Sequence, residues 1–92
     1  MFREVAGEEL RRARQQQNKT LRSVAIAGAI SVGYLSEVER GIKEPSSEII
    51  EAICRALEIQ LSDFLLRLSF EMAKREQQEQ SLSSKKLLSV SA

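Results

Sequence analysis

Apolar positions recur at helical spacing along most of the chain. Val5, Ala6, Leu10 and Ala13 fall near one face and predict a first helix over 5–17. Asn18 and Lys19 break the pattern. Thr20 then supplies an N-cap oxygen to a short second helix, in which Leu21, Val24 and Ala25 recur at i, i+3 and i+4. Gly28 interrupts that helix, and Ser31 caps a third with Leu35 and Val38 on its inner face. Gly41 stops the third helix as a C′ glycine. The loop Ile42 to Pro45 leads to Ser46, the cap of a fourth helix with a broad stripe of Ile49, Ile50, Ile53, Cys54 and Leu57. Ile59 and Leu61 flank a short connection, Ser62 caps again, and a fifth helix runs from Asp63 toward Gln80. The pattern predicts an all-α fold of five short helices.

After Leu61 the apolar content outruns what a five-helix core can use. Leu61, Phe64, Leu65, Leu66, Leu68, Phe70 and Met72 point in nearly every helical direction. We assign Leu61 and Leu65 to the core, and Phe64, Leu66, Leu68, Phe70 and Met72 to the interface of a symmetric homodimer. A large uncovered apolar patch on a small protein marks a partner surface, and the dimer is the commonest way to cover one. The competing arrangement folds this helix back on its own domain. Residues 81–92, SLSSKKLLSVSA, hold five Ser in twelve and predict a flexible tail. Leu87, Leu88 and Val90 could alternatively dock on a partner, or the small-residue end could be read by proteolytic machinery. The chain thus divides into a domain of residues 1–61, a dimerising helix of residues 62–80 and a tail of residues 81–92.

Composition narrows the function. The 92 residues are 42% apolar and 29% charged, the mixture of one globular domain. The longest apolar or Gly run, Val24 to Ile30, is far short of the ~18 residues needed to span a membrane. No basic segment followed by an apolar signal core opens the chain, and we expect a cytoplasmic protein with no membrane partner. Cys54 stands alone, which excludes an internal disulfide and a multi-cysteine metal site; its place on an apolar stripe makes it a small core residue, not a redox sensor. The chain has no His, the commonest general base and zinc ligand. Asp63 among Ser and Leu does not make a catalytic constellation. No catalytic residues, no metal site and no cofactor are expected.

The net charge of +1 conceals a basic end. From Arg11 to Arg22 the chain carries Arg11, Arg12, Arg14, Lys19 and Arg22 and no acid. A local anionic contact and a solvated helix face both fit that run, and charge alone does not choose between them.

The segment 21–40, LRSVAIAGAISVGYLSEVER, does choose. It reads as two short helices joined by a tight turn, with small Ala25 at their crossing and Ile30 plugging the turn. Leu35 and Val38 anchor the second helix from beneath, which leaves Val32, Gly33, Ser36 and Glu37 on its outer face. A helix presented in this way fits the ~12 Å wide major groove of B-DNA. These residues resemble the Xre/Cro family of helix-turn-helix proteins, which share the lambda-repressor-like fold. The matching positions are Leu21, Ala25, Ile30, Ser31, Leu35 and Val38, then Glu39–Arg40–Gly41, Pro45–Ser46, Ile53 and Leu57, over about residues 5–66. The longer string YLSEVERGIKEPSSEIIEAICRAL is similar to the actinobacterial branch that regulates Clp protease genes. One departure is in the turn, where the family usually has Gly and this chain has Ala29. Either Gly28 supplies the left-handed conformation or Ala29 carries it with modest strain.

The resemblance implies a sequence-specific, homodimeric transcription regulator of double-stranded, palindromic DNA, an activator of Clp protease genes. It places Ser31, Val32, Gly33, Ser36 and Glu37 at base edges. It places Thr20, Arg22, Tyr34, Arg40 and Lys43 at phosphates. Val32 suits a thymine methyl and Glu37 a cytosine amino group, while Arg22 lies where backbone N–H groups of a helix start also favour phosphate. Glu37 could instead pair with Arg40, Tyr34 could cover the rim of the core, and Lys43 could solvate its loop or enter the minor groove. Arg11 and Arg12 are expected to solvate the first helix. The family further implies a buried ion pair between Arg14 and Glu39. The rival function is an Xre-type antitoxin or adaptor that binds a protein through residues 64–72 or the tail.

Overall fold

The computed structural model describes the backbone of residues 1–91 and the side chains of residues 1–81. Five helices follow one another: α1 (Phe2–Gln16), α2 (Leu21–Ala27), α3 (Val32–Glu39), α4 (Ser47–Ala56) and α5 (Leu61–Ser91). No strand occurs among the described residues. Side-chain oxygens start three of the helices. Thr20 accepts from the Ser23 N–H at 3.0 Å, Ser31 from Tyr34 at 3.1 Å and Ser46 from Ile49 at 3.2 Å. Each such cap contributes ~1 kcal/mol by satisfying a donor that the helix itself leaves unpaired. Ser62 is not a cap. The fifth helix opens at Leu61, and the Phe64 N–H donates to the Gln60 carbonyl at 3.2 Å, so Gln60 precedes the first turn. The same helix continues through Ser91, beyond the expected end near Gln80. The docking reading of Leu87, Leu88 and Val90 falls on side chains outside the described residues.

One core joins all five helices. α1 packs on α3 and α5, α2 on α3 and α4, and α4 on α5. Val5, Leu10, Val24, Leu35, Val38, Ile53 and Leu57 are each no more than 1% exposed. Ala25 is fully buried where α2 meets its neighbours. Cys54 is buried in the same cluster, and burial pushes its thiol above the usual range, so it behaves as a small hydrophobe. Gly7 sets the approach of α1 to α3. A Cβ there would run into the Val38 carbonyl oxygen and reach within 2.8 Å of the Glu39 carbonyl oxygen, so a side chain at this position would push α3 away.

The packing of α5 corrects the sequence expectation. Phe64 and Leu68 are 4% and 5% exposed and belong to the core of the chain itself, and Met72 is half-buried against that core. Leu65, assigned to the core, is instead 47% exposed, beside Leu66 at 72% and Phe70 at 63%. The reason is register. Leu61, Phe64, Leu68 and Met72 form the i, i+3, i+4 stripe that follows Leu57 onto α1 and α4, and Leu65 lies off that stripe.

Candidate nucleic-acid interface

α2 and α3 are bent by 115° across the four residues 28–31, within the range of a helix-turn-helix pair. Ala29, with φ of 55°, carries the left-handed backbone of the turn, and Gly28 does not. Gly28 sits in a tight space instead. A Cβ there would lie 3.3 Å from both the Ile30 side chain and the Val24 carbonyl oxygen.

α3 is held from one side only. Leu35, Val38 and Glu39 are buried beneath it, while Ser31, Val32 and Gly33 are exposed and Ser36 and Glu37 partly so. Val32 is 38% exposed, and open space surrounds the Gly33 Cα within 4 Å of where a Cβ would stand. The loop after α3 is tied back by the Ile42 and Lys43 N–H groups, which donate to the Glu37 carbonyl at 2.9 and 3.3 Å. The Glu37 carboxylate forms no ion pair among the described residues, so the alternative pairing with Arg40 is not made. Arg22, Arg40 and Lys43 are exposed and are likewise without ion pairs among the described residues. Thr20 is exposed and serves as the cap of α2; Tyr34 is partly buried against the core.

The pose of α3 is fixed by a charge pair. Arg14 Nε lies 2.8 Å from Glu39 Oε2 and Nη2 lies 2.9 Å from Oε1, a two-pronged contact between side chains only 12% and 5% exposed. The remaining Arg14 nitrogen, Nη1, donates to the Lys19 carbonyl at 2.8 Å. Hydrogen bonding to Glu39 holds the guanidinium above its ordinary value, and charge-assisted bonds of this geometry are the strong kind. α1, the α1–α2 loop and the end of α3 are thereby joined through one side chain.

A second buried carboxylate escaped the sequence reading. Glu9 is 5% exposed and is held by Arg12 at 2.9 Å and by Arg67 of α5 at 3.3 Å. Arg12 therefore does not merely solvate α1. It neutralises a buried acid whose i, i+3 spacing to Arg12 was the available signal. Arg75 adds a more exposed contact to Glu8 at 2.7 Å, so α1 is tied by charge to α5 as well as to α3.

A half-polar helix face projecting from a bent helical pair and seated on a buried core defines a helix-turn-helix DNA-binding domain. Residues 10–64 match the helix-turn-helix family, and the chain belongs to that family, of Xre type. It is a DNA-binding transcription regulator and not an enzyme. The chain is 51% identical over 76 residues to the transcriptional regulator ClgR of Mycobacterium tuberculosis, an alignment covering 83% of this chain and 68% of that protein. It is 38% identical over 63 residues to the regulator DdrOP3 of Deinococcus deserti, covering 68% of this chain and 49% of that one. The crystal structure of the clp gene regulator ClgR from Corynebacterium glutamicum superposes with a TM-score of 0.79 at 42% identity, over 87% of this chain and 85% of the other. A restriction-modification controller protein shares the fold, with a TM-score of 0.76 at 20% identity, over 80% of this chain and 96% of its own. No single helix among the described residues is long and apolar enough to cross a membrane.

Proposed function

We propose that this chain is a cytoplasmic, homodimeric regulator that activates transcription of Clp protease genes by reading a palindromic operator. Ser31, Val32, Gly33, Ser36 and Glu37 contact base edges, and Thr20, Arg22, Tyr34, Arg40 and Lys43 hold phosphates. The observation that carries this reading is the outer face of α3. It lacks bulky side chains, is open around Gly33, and keeps the Glu37 carboxylate unpaired among the described residues. A bare carboxylate beside phosphates is repelled unless it accepts from a base, and a cytosine amino group is the donor the major groove offers. The likeness to ClgR supplies the regulated genes.

Two copies are required because a single short helix makes few base contacts. The exposed Leu65, Leu66 and Phe70 of α5 give a second copy an apolar face to cover. A two-fold dimer then presents two α3 helices to half-sites about one DNA turn apart, near ~34 Å, and the joined contacts bind far more tightly than either alone. Selection from a random duplex library tests this. The expected result is a palindrome with that spacing, whose affinity falls on the order of 10³-fold or more between 50 and 200 mM salt. No enriched sequence, together with a protein partner that co-purifies at fixed stoichiometry, would replace this reading with that of a protein-binding adaptor.

A further inference from the structure

Between α1, the start of α2 and the end of α3 lies an open cavity of about 220 Å³, lined by Arg11, Arg14, Leu21, Ser36, Glu39 and Arg40. Its one acid, Glu39, has both oxygens engaged by Arg14. Arg14 is in turn fully committed, since its third nitrogen donates to Lys19. The negative charge is thus neutralised in place. Arg11 and Arg40 are exposed and form no ion pair among the described residues, so the cavity is lined by two uncommitted guanidiniums, one from α1 and one from the end of α3. A larger cavity on another face of the same half of α1, about 400 Å³, differs in kind. Glu58 and Asp63 line it, and its arginines, Arg12 and Arg67, are already held by Glu9.

We propose that the Arg11–Arg40 cavity seats a phosphate of the DNA backbone. Arg11 reaches it from α1 and Arg40 from the end of α3, and the locked Arg14–Glu39 pair forms the floor. Guanidinium groups suit this task because their planar fork matches the phosphate oxygens. Ser36 stands where the cavity meets the base-reading face, so a phosphate seated there lies beside the groove that α3 enters. The proposal rests on the DNA-binding reading above and extends the interface to a helix outside the helix-turn-helix pair. Arg11, expected from sequence to be a solvated surface charge, becomes a positioning residue that fixes the depth and tilt of α3 in the groove. A contact of this kind carries no base information, and its loss weakens all duplexes alike.

The test is a salt titration of the full chain on its selected operator and on a random duplex. Arg11→Ala, Arg11→Lys and Arg55→Ala, the last on the exposed surface of α4, are compared with the unaltered chain. Arg11→Ala is expected to reduce the slope of log affinity against log salt by about one and to weaken both duplexes by on the order of tenfold at 0.1 M salt. Arg11→Lys should recover the slope, Arg55→Ala should leave it unchanged, and the melting temperature should stay constant in all three. An unchanged slope in Arg11→Ala, or a change no greater than that of Arg55→Ala, overturns the phosphate seat and leaves the DNA-binding reading standing. Absence of binding by the unaltered chain overturns both.

Discussion

α3 and α5 each bury one side in the same core and leave the other uncovered, and the two uncovered faces differ in kind. On α3 the bare side holds Ser31, Val32, Gly33, Ser36 and Glu37, short or polar groups around an open glycine. On α5 it holds Leu65, Leu66 and Phe70, 47% to 72% exposed. Burying a Leu or Phe side chain gives ~1.5–3 kcal/mol, which favours any dry surface that fits. The α3 face has little to gain that way. Its value lies in donors and acceptors aimed at a polar surface, where a matched base contact discriminates by ~1–3 kcal/mol. One helix therefore suits a groove lined by base edges and the other a second helix. The two are also anchored differently. α3 depends on the close approach at Gly7 and on Arg14–Glu39, whereas α5 depends on Phe64, Leu68 and the Glu9 contacts.

If that division holds, each helix can be disabled without the other. The largest effect is expected from α5. Leu66→Glu combined with Phe70→Glu should give a folded monomer in sedimentation, with affinity for the full palindrome reduced by ~10²–10⁴-fold through loss of effective concentration. A variant that stays dimeric would move the dimer interface elsewhere. Next comes the seat of α3. Glu39→Ala leaves Arg14 nearly buried without its partner and should cost ~3–5 kcal/mol in urea or thermal unfolding. That is a large share of the stability of a small domain, and a loss below about 1 kcal/mol would mean that the pair does not hold α3 in place. The smallest effect lies in the turn. Ala29 has φ of 55°, where glycine is unstrained, so Ala29→Gly should remove ~1–2 kcal/mol of strain and return part of it as chain entropy. A net gain of ~0.5–1 kcal/mol is expected in the melting curve, with operator preference unchanged.

Much of this was legible in the residues. Thr20, Ser31 and Ser46 announced three helix starts, because a cap is a local event between residues three apart. The outward set on α3 followed from the positions of Leu35 and Val38. The Arg14–Glu39 contact came from family resemblance, since nothing local links residues that far apart in the chain. What stayed hidden depended on distant packing. Near its start α5 is apolar on almost every side, so periodicity could not decide between Leu65 and Phe64 with Leu68; contact with α1 and α4 decides it. Gly7 sits in an ordinary helical pattern, and only the backbone of Val38 and Glu39 opposite it shows why no side chain fits. Arg12 looked like a surface charge, because the buried Glu9 that it pairs with is covered only once α5 packs and brings Arg67 to the same carboxylate. Arg11 and Arg40 share a cavity for the same reason.

Everything proposed for this chain turns on whether the outer face of α3 reads sequence. The direct measurement is to repeat the duplex selection with Glu37→Gln and, separately, with Val32→Ala. Each variant is expected to select a palindrome of unchanged spacing but to change its preferred base at one pair of symmetry-related positions, with the favoured base altered by ~1–3 kcal/mol. Selection of the original operator by both variants, at undiminished preference, would contradict sequence reading by α3.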